Sequence, residues 1–137
     1  MIDRHFIERF QEILGSWGGR SLTLNEAIEE WKHLVEQCEV GYDWGIYEFE
    51  NDLAIRDLLE DVLRDRQLGL YPELQQIAQR VNQIDEQFRR LLLRSIEGGE
   101  RWWSEAILRR AGQEYADDVA RLYGVPVEVM LGDDASR

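Results

Sequence analysis

The chain has 137 residues, 44% of them hydrophobic and 32% charged, and its formal net charge is −12. This size and balance predict one globular domain and exclude a disordered chain. The single cysteine excludes a disulfide framework and a four-cysteine zinc site. Strong acidity disfavours binding to nucleic acid or to an anionic membrane, since both are negatively charged. Without a membrane-length apolar run or a signal-peptide core, we expect a cytoplasmic protein.

Helical spacing of apolar residues predicts two helices in the first third of the chain. The first covers about residues 4–14, with Asp3 at the N-cap position. The second covers about residues 24–40. Thr23 and Glu26 stand three apart at its start, which is the spacing of a capping box.

The second helix carries an apolar stripe that includes Trp31 and Cys38, so both side chains are expected in the core. The sequence GYDWG at residues 41–45 predicts a loop, because glycines flank an aspartate that tolerates turns. A third helix follows at about residues 47–64.

The fourth predicted helix covers about residues 72–96, with Pro72 at its first position. Asp85 with Arg89, and Glu86 with Arg90, predict exposed acid–base pairs one turn apart. Apolar residues recur three and four apart in a narrow seam: Leu74, Ile77, Val81, Ile84, Phe88 and Leu91. This seam fits a helix of an antiparallel bundle, and a coiled-coil dimer is the alternative.

The fifth predicted helix covers about residues 112–123, and the alternating sequence VPVEVML after it predicts a short strand or an extended tail. The predicted fold is therefore all-α. It is one domain over residues 1–137, a mostly antiparallel bundle of four or five helices with a short extended segment near its C-terminal end.

The net charge is concentrated in the middle of the chain. Residues 39–65 hold 9 acidic and 2 basic residues, a net charge of −7. The same segment carries aromatic residues in its predicted loop and helix, which suits a surface that binds a basic protein. The candidate partner-binding residues are Asp43, Glu48, Glu50, Asp52 and Asp57 as charge contacts, with Trp44 and Tyr47 as aromatic anchors.

Three polar residues in this segment have two open interpretations. Asn51, Asp52 and Arg56 either face the partner or serve the fold. In the second case Asn51 or Asp52 caps a helix, and Arg56 pairs with a carboxylate one turn away.

Two other functions fit parts of the sequence. Acidic residues at one-turn spacing on two helices could hold magnesium for nucleotide hydrolysis: Glu26, Glu29 and Glu30, with Asp57, Glu60 and Asp61. They loosely resemble the acidic motifs of all-α nucleoside triphosphate pyrophosphatases, although the second group departs from the Glu-xx-Asp order. An adaptor bundle that self-associates through the seam is the other alternative.

The segments WKHLVEQCEVGYDWGIYEFENDLAIRD and RWWSEAILRRAGQEYADDVARLYG resemble small acidic bacterial immunity proteins of polymorphic or contact-dependent inhibition toxin systems. The resemblance rests on Trp31, Gly41, Tyr42, Tyr47, Asn51, Asp52, Leu53, Arg56, Trp102, Trp103, Gly112, Glu114, Asp118 and Tyr123. It implies a stoichiometric inhibitor of one toxin domain, commonly a nuclease with a basic cleft, and it carries no catalytic residues. We therefore expect a non-enzymatic binding protein without metal or cofactor, as a monomer or weak homodimer.

Overall fold

The computed structural model describes residues 3–18, 20–94, 101–104 and 106–130. The all-α prediction is confirmed. Within these ranges, no helix is long and apolar enough to cross a membrane. The α-helices are α1 (Arg4–Gly15), α2 (Leu24–Val40), α3 (Ile46–Asp52), α4 (Ala54–Arg64), α5 (Glu73–Arg89) and α6 (Gln113–Tyr123), and a 3₁₀ helix, Leu68–Leu70, connects α4 to α5.

The helix starts follow the capping residues that the sequence predicts. The Asp3 side chain accepts a hydrogen bond from the backbone N–H of His5 at 2.7 Å. Thr23 and Glu26 form the reciprocal capping box, with distances of 3.0 and 2.8 Å. Gly124 ends α6 in the left-handed conformation, at φ 65°, which glycine adopts without a steric penalty.

The predicted single helix at 47–64 is wrong in one respect, because Leu53 divides it into α3 and α4. The buried residues explain the division: Ile46, Phe49 and Leu53 are three or four apart, but the next, Ile55, is only two further on. One straight helix cannot keep that sequence on one face. Gly45 is the N-cap of α3 and Leu53 that of α4, so neither Asn51 nor Asp52 occupies the helix cap that one of the two open interpretations assigned to them.

The predicted helix at 72–96 ends earlier than expected. Pro72 is the N-cap of α5, which ends at Arg89. The chain then enters β1 (Leu92–Arg94), where Leu92 pairs with Leu108. Positions 95 and 96 lie outside the described residues. The apolar seam packs against helices of the same chain: Ile77, Val81, Ile84 and Phe88 are buried where α5 packs on α2 and α4.

Two small sheets complete the fold. Strand β1 pairs antiparallel with β2 (Ile107–Leu108). Strand β3 (Arg110–Ala111) pairs in parallel with β4 (Glu128–Val129), which confirms the short strand predicted after the last helix. These pairs connect the C-terminal part of the chain to the helices.

A buried polar network crosses the core. Arg56 donates to both oxygens of Asp85 at 2.9 Å, and the Trp31 indole N–H donates to Asp85 at 3.0 Å. Arg56 and Asp85 are each 3% exposed. The guanidinium also lies over the Trp103 ring, 4.1 Å from its centroid. The prediction that Asp85 forms an exposed pair with Arg89 is therefore wrong, because helix packing places this carboxylate on the inner face.

Candidate functional site

The loop at residues 41–45 is fixed to the start of α6. The backbone N–H of Gly112 donates to the carbonyl oxygen of Tyr42 at 2.7 Å. A Cβ on Gly112 would lie 2.8 Å from that oxygen, so the approach requires glycine. The buried Tyr42 hydroxyl donates to Asp52 at 2.7 Å, and burial raises the pKa of this phenol. The hydroxyl therefore remains a proton donor at neutral pH and ties the loop to α3.

Helix α3 presents most of its side chains to solvent. It is anchored by Ile46 and Phe49, both buried. At about 100° per residue, Tyr47 and Glu48 lie on the side opposite these anchors. The Tyr47 side chain is 63% exposed and the preceding Trp44 is 58% exposed. Both rings are therefore available to a partner, as the sequence predicts for aromatic anchors.

Helix α6 contributes two further carboxylates, Glu114 and Asp118, next to the start of α3. Asp118 accepts a hydrogen bond from the backbone N–H of Ile46 at 3.0 Å, and Glu48 accepts one from Gly45 at 3.0 Å. A Cβ on Gly45 would lie 2.6 Å from a Glu114 oxygen, 2.7 Å from Asp118 and 3.0 Å from Glu48. Side chains from two separate helices thus converge on one glycine.

We call this region the acidic–aromatic surface, and it has an unusual charge pattern. Its members are Asp43, Trp44, Tyr47, Glu48, Glu50, Asp52, Glu114 and Asp118. Among the described residues, Asp118 pairs with Arg121 at 2.9 Å, whereas the other carboxylates of this surface form no salt bridge. A concentration of unpaired like charge raises the local negative potential.

The carboxylates further along α4 have the opposite character. Asp57 accepts from Arg101 at 2.9 Å and from the Trp103 indole at 3.0 Å, and it is half-buried. Asp65, the residue just after α4, pairs with Arg9 at 2.6 Å. The structure therefore places Asp57 apart from the acidic–aromatic surface, in an ion-paired part of the chain.

Each of the two interpretations of Asn51, Asp52 and Arg56 applies to some of these residues: Arg56 serves the fold, whereas Asn51 and Asp52 face solvent. Arg56 is buried and pairs with Glu60, one turn away, at 3.0 Å as well as with Asp85. Asn51 and Asp52 are exposed. Asp52 also has a structural contact, because it accepts from Tyr42.

A groove of about 660 Å³ adjoins the acidic–aromatic surface. Two indole rings border it, those of Trp17 and Trp44. The Trp17 indole N–H donates to Asp61 at 3.2 Å, which fixes that ring. The groove is lined by residues from α1, α2, α3 and α4 and from the connections before α2 and before α3: Leu14, Trp17, Arg20, Glu30, His33, Leu34, Gln37, Trp44, Asn51, Asp52, Ala54, Ile55 and Leu58.

The carboxylates considered for magnesium are engaged by other groups. Glu26 belongs to the capping box, Glu29 pairs with Arg80 and Glu30 pairs with Arg20. The second set is also paired: Asp57 and Asp61 with Arg101, and Glu60 with Arg56 and Arg64. Over the described ranges, no group of three or more His, Cys, Asp or Glu residues is arranged to hold a metal ion.

Two members of the acidic–aromatic surface, Glu114 and Asp118, are not among the partner-binding residues that the sequence predicts. Glu114 and Asp118 are four residues apart, a spacing that places both on one face of α6. That spacing was a usable signal, but it did not indicate which other segment would lie against this face. The contact through Gly112 supplies that information, and only the folded chain contains it.

Comparisons with models of protein families, with curated proteins and with solved structures gave no match to this chain.

Acidification should loosen the contact between the loop and α6. The hydrogen bond from the Ile46 backbone, followed by that from Arg121, lowers the pKa of Asp118. A carboxyl group whose pKa is lowered by folding stabilises the fold above its unfolded pKa, and this stabilisation disappears as the pH falls through the folded pKa. We expect the difference in melting temperature between the natural protein and Asp118→Asn to shrink as the pH falls through the unfolded aspartate pKa of about 3.9 and further below it.

The matched control is Asp117→Asn, which removes an adjacent carboxylate from α6 without touching the Ile46 backbone. Its melting curve should stay closer to that of the natural protein at neutral pH. Equal losses for the two variants would show that the bond to Ile46 has no special role.

Proposed function

We propose that this chain is a non-enzymatic binding protein of the immunity type, which blocks the basic cleft of a toxin domain with its acidic–aromatic surface. One observation carries the proposal: unpaired carboxylates and two exposed rings share one surface, while the α4 carboxylates beyond it are paired with arginines. The resemblance to immunity proteins supplies the class of partner.

The two components of the surface have separate physical roles in this proposal. Unpaired carboxylates attract a basic partner over several ångströms, which speeds association and makes it sensitive to salt. Exposed aromatic side chains bury a large area at a low entropic cost and slow dissociation. A nuclease cleft evolved to hold phosphates would accept carboxylates in the same positions, so the inhibitor would compete with nucleic acid.

The first experiment takes the C-terminal domain of the protein encoded immediately upstream, which the proposal requires to be a small basic toxin domain, and measures its binding to this chain. Glu50 and Glu114 are exposed and form no salt bridge. Because Glu114 lies in the first turn of α6, a melting curve first verifies that the variant keeps its fold. We expect Glu50→Lys with Glu114→Lys to weaken binding by about tenfold, mainly through slower association. Surface plasmon resonance at about 50 mM and about 300 mM salt should show a weaker salt dependence for this variant.

The control is the pair Glu8→Lys and Glu29→Lys, which changes the net charge equally and breaks only exposed ion pairs with Arg4 and Arg80. This control should retain most of the affinity. If both double variants weaken binding equally, the acidic–aromatic surface is not the docking site. If the natural chain does not bind this toxin domain at all, the immunity proposal fails.

A further inference from the structure

The groove beside the acidic–aromatic surface has the features of a receptor for a long cationic side chain. Its floor is apolar, with Leu14, Leu34, Ile55 and Leu58 among its lining residues. The Trp17 and Trp44 rings border it, and Trp17 is held by its bond to Asp61. Arginine and lysine bury their methylene chains on such apolar surface while the charged end stays in a polar setting.

The electrostatics of the groove favour a cation. Two of its charged residues, Arg20 and Glu30, neutralise one another through hydrogen bonds of 2.7 and 2.9 Å. Asp52 then contributes a negative charge, and the bond it accepts from Tyr42 is to one oxygen, at 2.7 Å. Two further α3 carboxylates without a salt bridge, Glu48 and Glu50, precede it by four and two residues. An indole face beside a carboxylate attracts a guanidinium or ammonium group by both cation–π and charge interactions.

We propose that this groove receives a short basic segment of the partner, with an arginine or lysine side chain held between the Trp17–Trp44 border and Asp52. The volume of about 660 Å³ exceeds one side chain and suits a few residues of peptide. This inference rests on the proposed function, since it names the part of a basic partner that the surface recognises. It makes Trp44 and Asp52 the residues that belong both to the groove and to the acidic–aromatic surface.

The test uses a short arginine–glycine peptide and a peptide of the same length with citrulline in place of each arginine. Citrulline keeps the shape of arginine but has no charge. We expect the arginine peptide to shift the indole N–H signals of Trp17 and Trp44 in ¹⁵N NMR spectra, and to bind about fivefold more tightly than the citrulline peptide.

Two variants link the binding to the groove. Trp44→Ala removes an exposed ring, and Asp52→Asn keeps an acceptor for Tyr42 while removing the charge. Each substitution should lower the affinity for the arginine peptide by about fivefold. The control Leu70→Ala removes another exposed apolar side chain, 83% exposed and outside the groove, and should leave the peptide affinity unchanged.

Two outcomes would overturn the groove proposal. In the first, both peptides bind equally. In the second, binding persists in Trp44→Ala and the shifts are confined to Glu48, Glu50, Glu114 and Asp118. The proposed function fails separately, through loss of binding to the toxin domain or equal effects of the two charge-reversal variants. A failed peptide test with intact toxin binding would remove the groove and keep the acidic–aromatic surface.

Discussion

Replacing Asp85 by asparagine is expected to lower the free energy of unfolding by about 3–5 kcal/mol, because it removes the fully buried carboxylate that faces Arg56 and leaves that guanidinium with the ion pair to Glu60 alone. The Arg56 guanidinium donates twice to this carboxylate, and both side chains are nearly inaccessible. Trp31 would lose a charged acceptor for its indole N–H at the same time. Urea unfolding followed by circular dichroism measures the change, and an unchanged m-value would show that the native compactness is kept.

A surface carboxylate and a double variant provide the controls. Asp61 is more exposed and accepts from Arg101 and Trp17, so Asp61→Asn should cost about 1 kcal/mol or less. Replacing both members of the buried pair, by Arg56→Met with Asp85→Leu, should cost less than Asp85→Asn, because no uncompensated charge remains. If Asp85→Asn costs no more than Asp61→Asn, the buried network does not hold the core together.

The sequence predicts those parts of the fold that local patterns determine. Asp3, Thr23 with Glu26, and Gly124 mark helix ends through bonds or conformations that involve only a few neighbouring residues. The buried stripe of α2, with Trp31 and Cys38, follows from helical periodicity. These features depend only on residues close together in sequence, so the sequence of one segment is enough to predict them.

Other features depend on contacts between distant segments. Asp85 stands four residues before Arg89, which is the spacing of a solvated pair, and only the position of Arg56 on another helix makes it a core residue. The division at Leu53 depends on which face of each half is buried. In the same way, the sequence around Asp57 predicts an exposed carboxylate. Its partners Arg101 and Trp103 are more than forty positions away, so the local sequence does not indicate them.

The sequence predicts the part of the acidic–aromatic surface that comes from the loop at 41–45 and from α3, but not the part that comes from α6. Exposure of Trp44, Tyr47 and Glu48 follows from a loop and a short helix that bury other residues. The contribution of Glu114 and Asp118 comes from the packing of α6 on this loop, through a glycine contact that excludes any side chain. The surface therefore has two more carboxylates than the sequence of the loop and α3 provides. They increase the negative electrostatic potential that would attract a basic partner.

Replacing Trp44 by alanine should have the largest effect on partner binding. An exposed indole at the edge of a groove becomes fully desolvated in a complex, and such aromatic anchors dominate interface energies. We expect a loss of about 2 kcal/mol or more, equivalent to about thirtyfold in Kd. With the toxin domain proposed as the partner, the change should appear in the dissociation rate, because removing a neutral ring leaves long-range attraction unaltered.

The kinetics separate this anchor from the charges around it. Glu50→Lys with Glu114→Lys should slow association and leave dissociation less affected, whereas Trp44→Ala should do the reverse. Leu70→Ala is the matched control, since it removes an exposed apolar side chain from a different part of the chain. Equal dissociation rates for Trp44→Ala and Leu70→Ala would mean that the ring is outside the interface. The docking surface would then have to be sought on the α6 side, around Glu114 and Asp118.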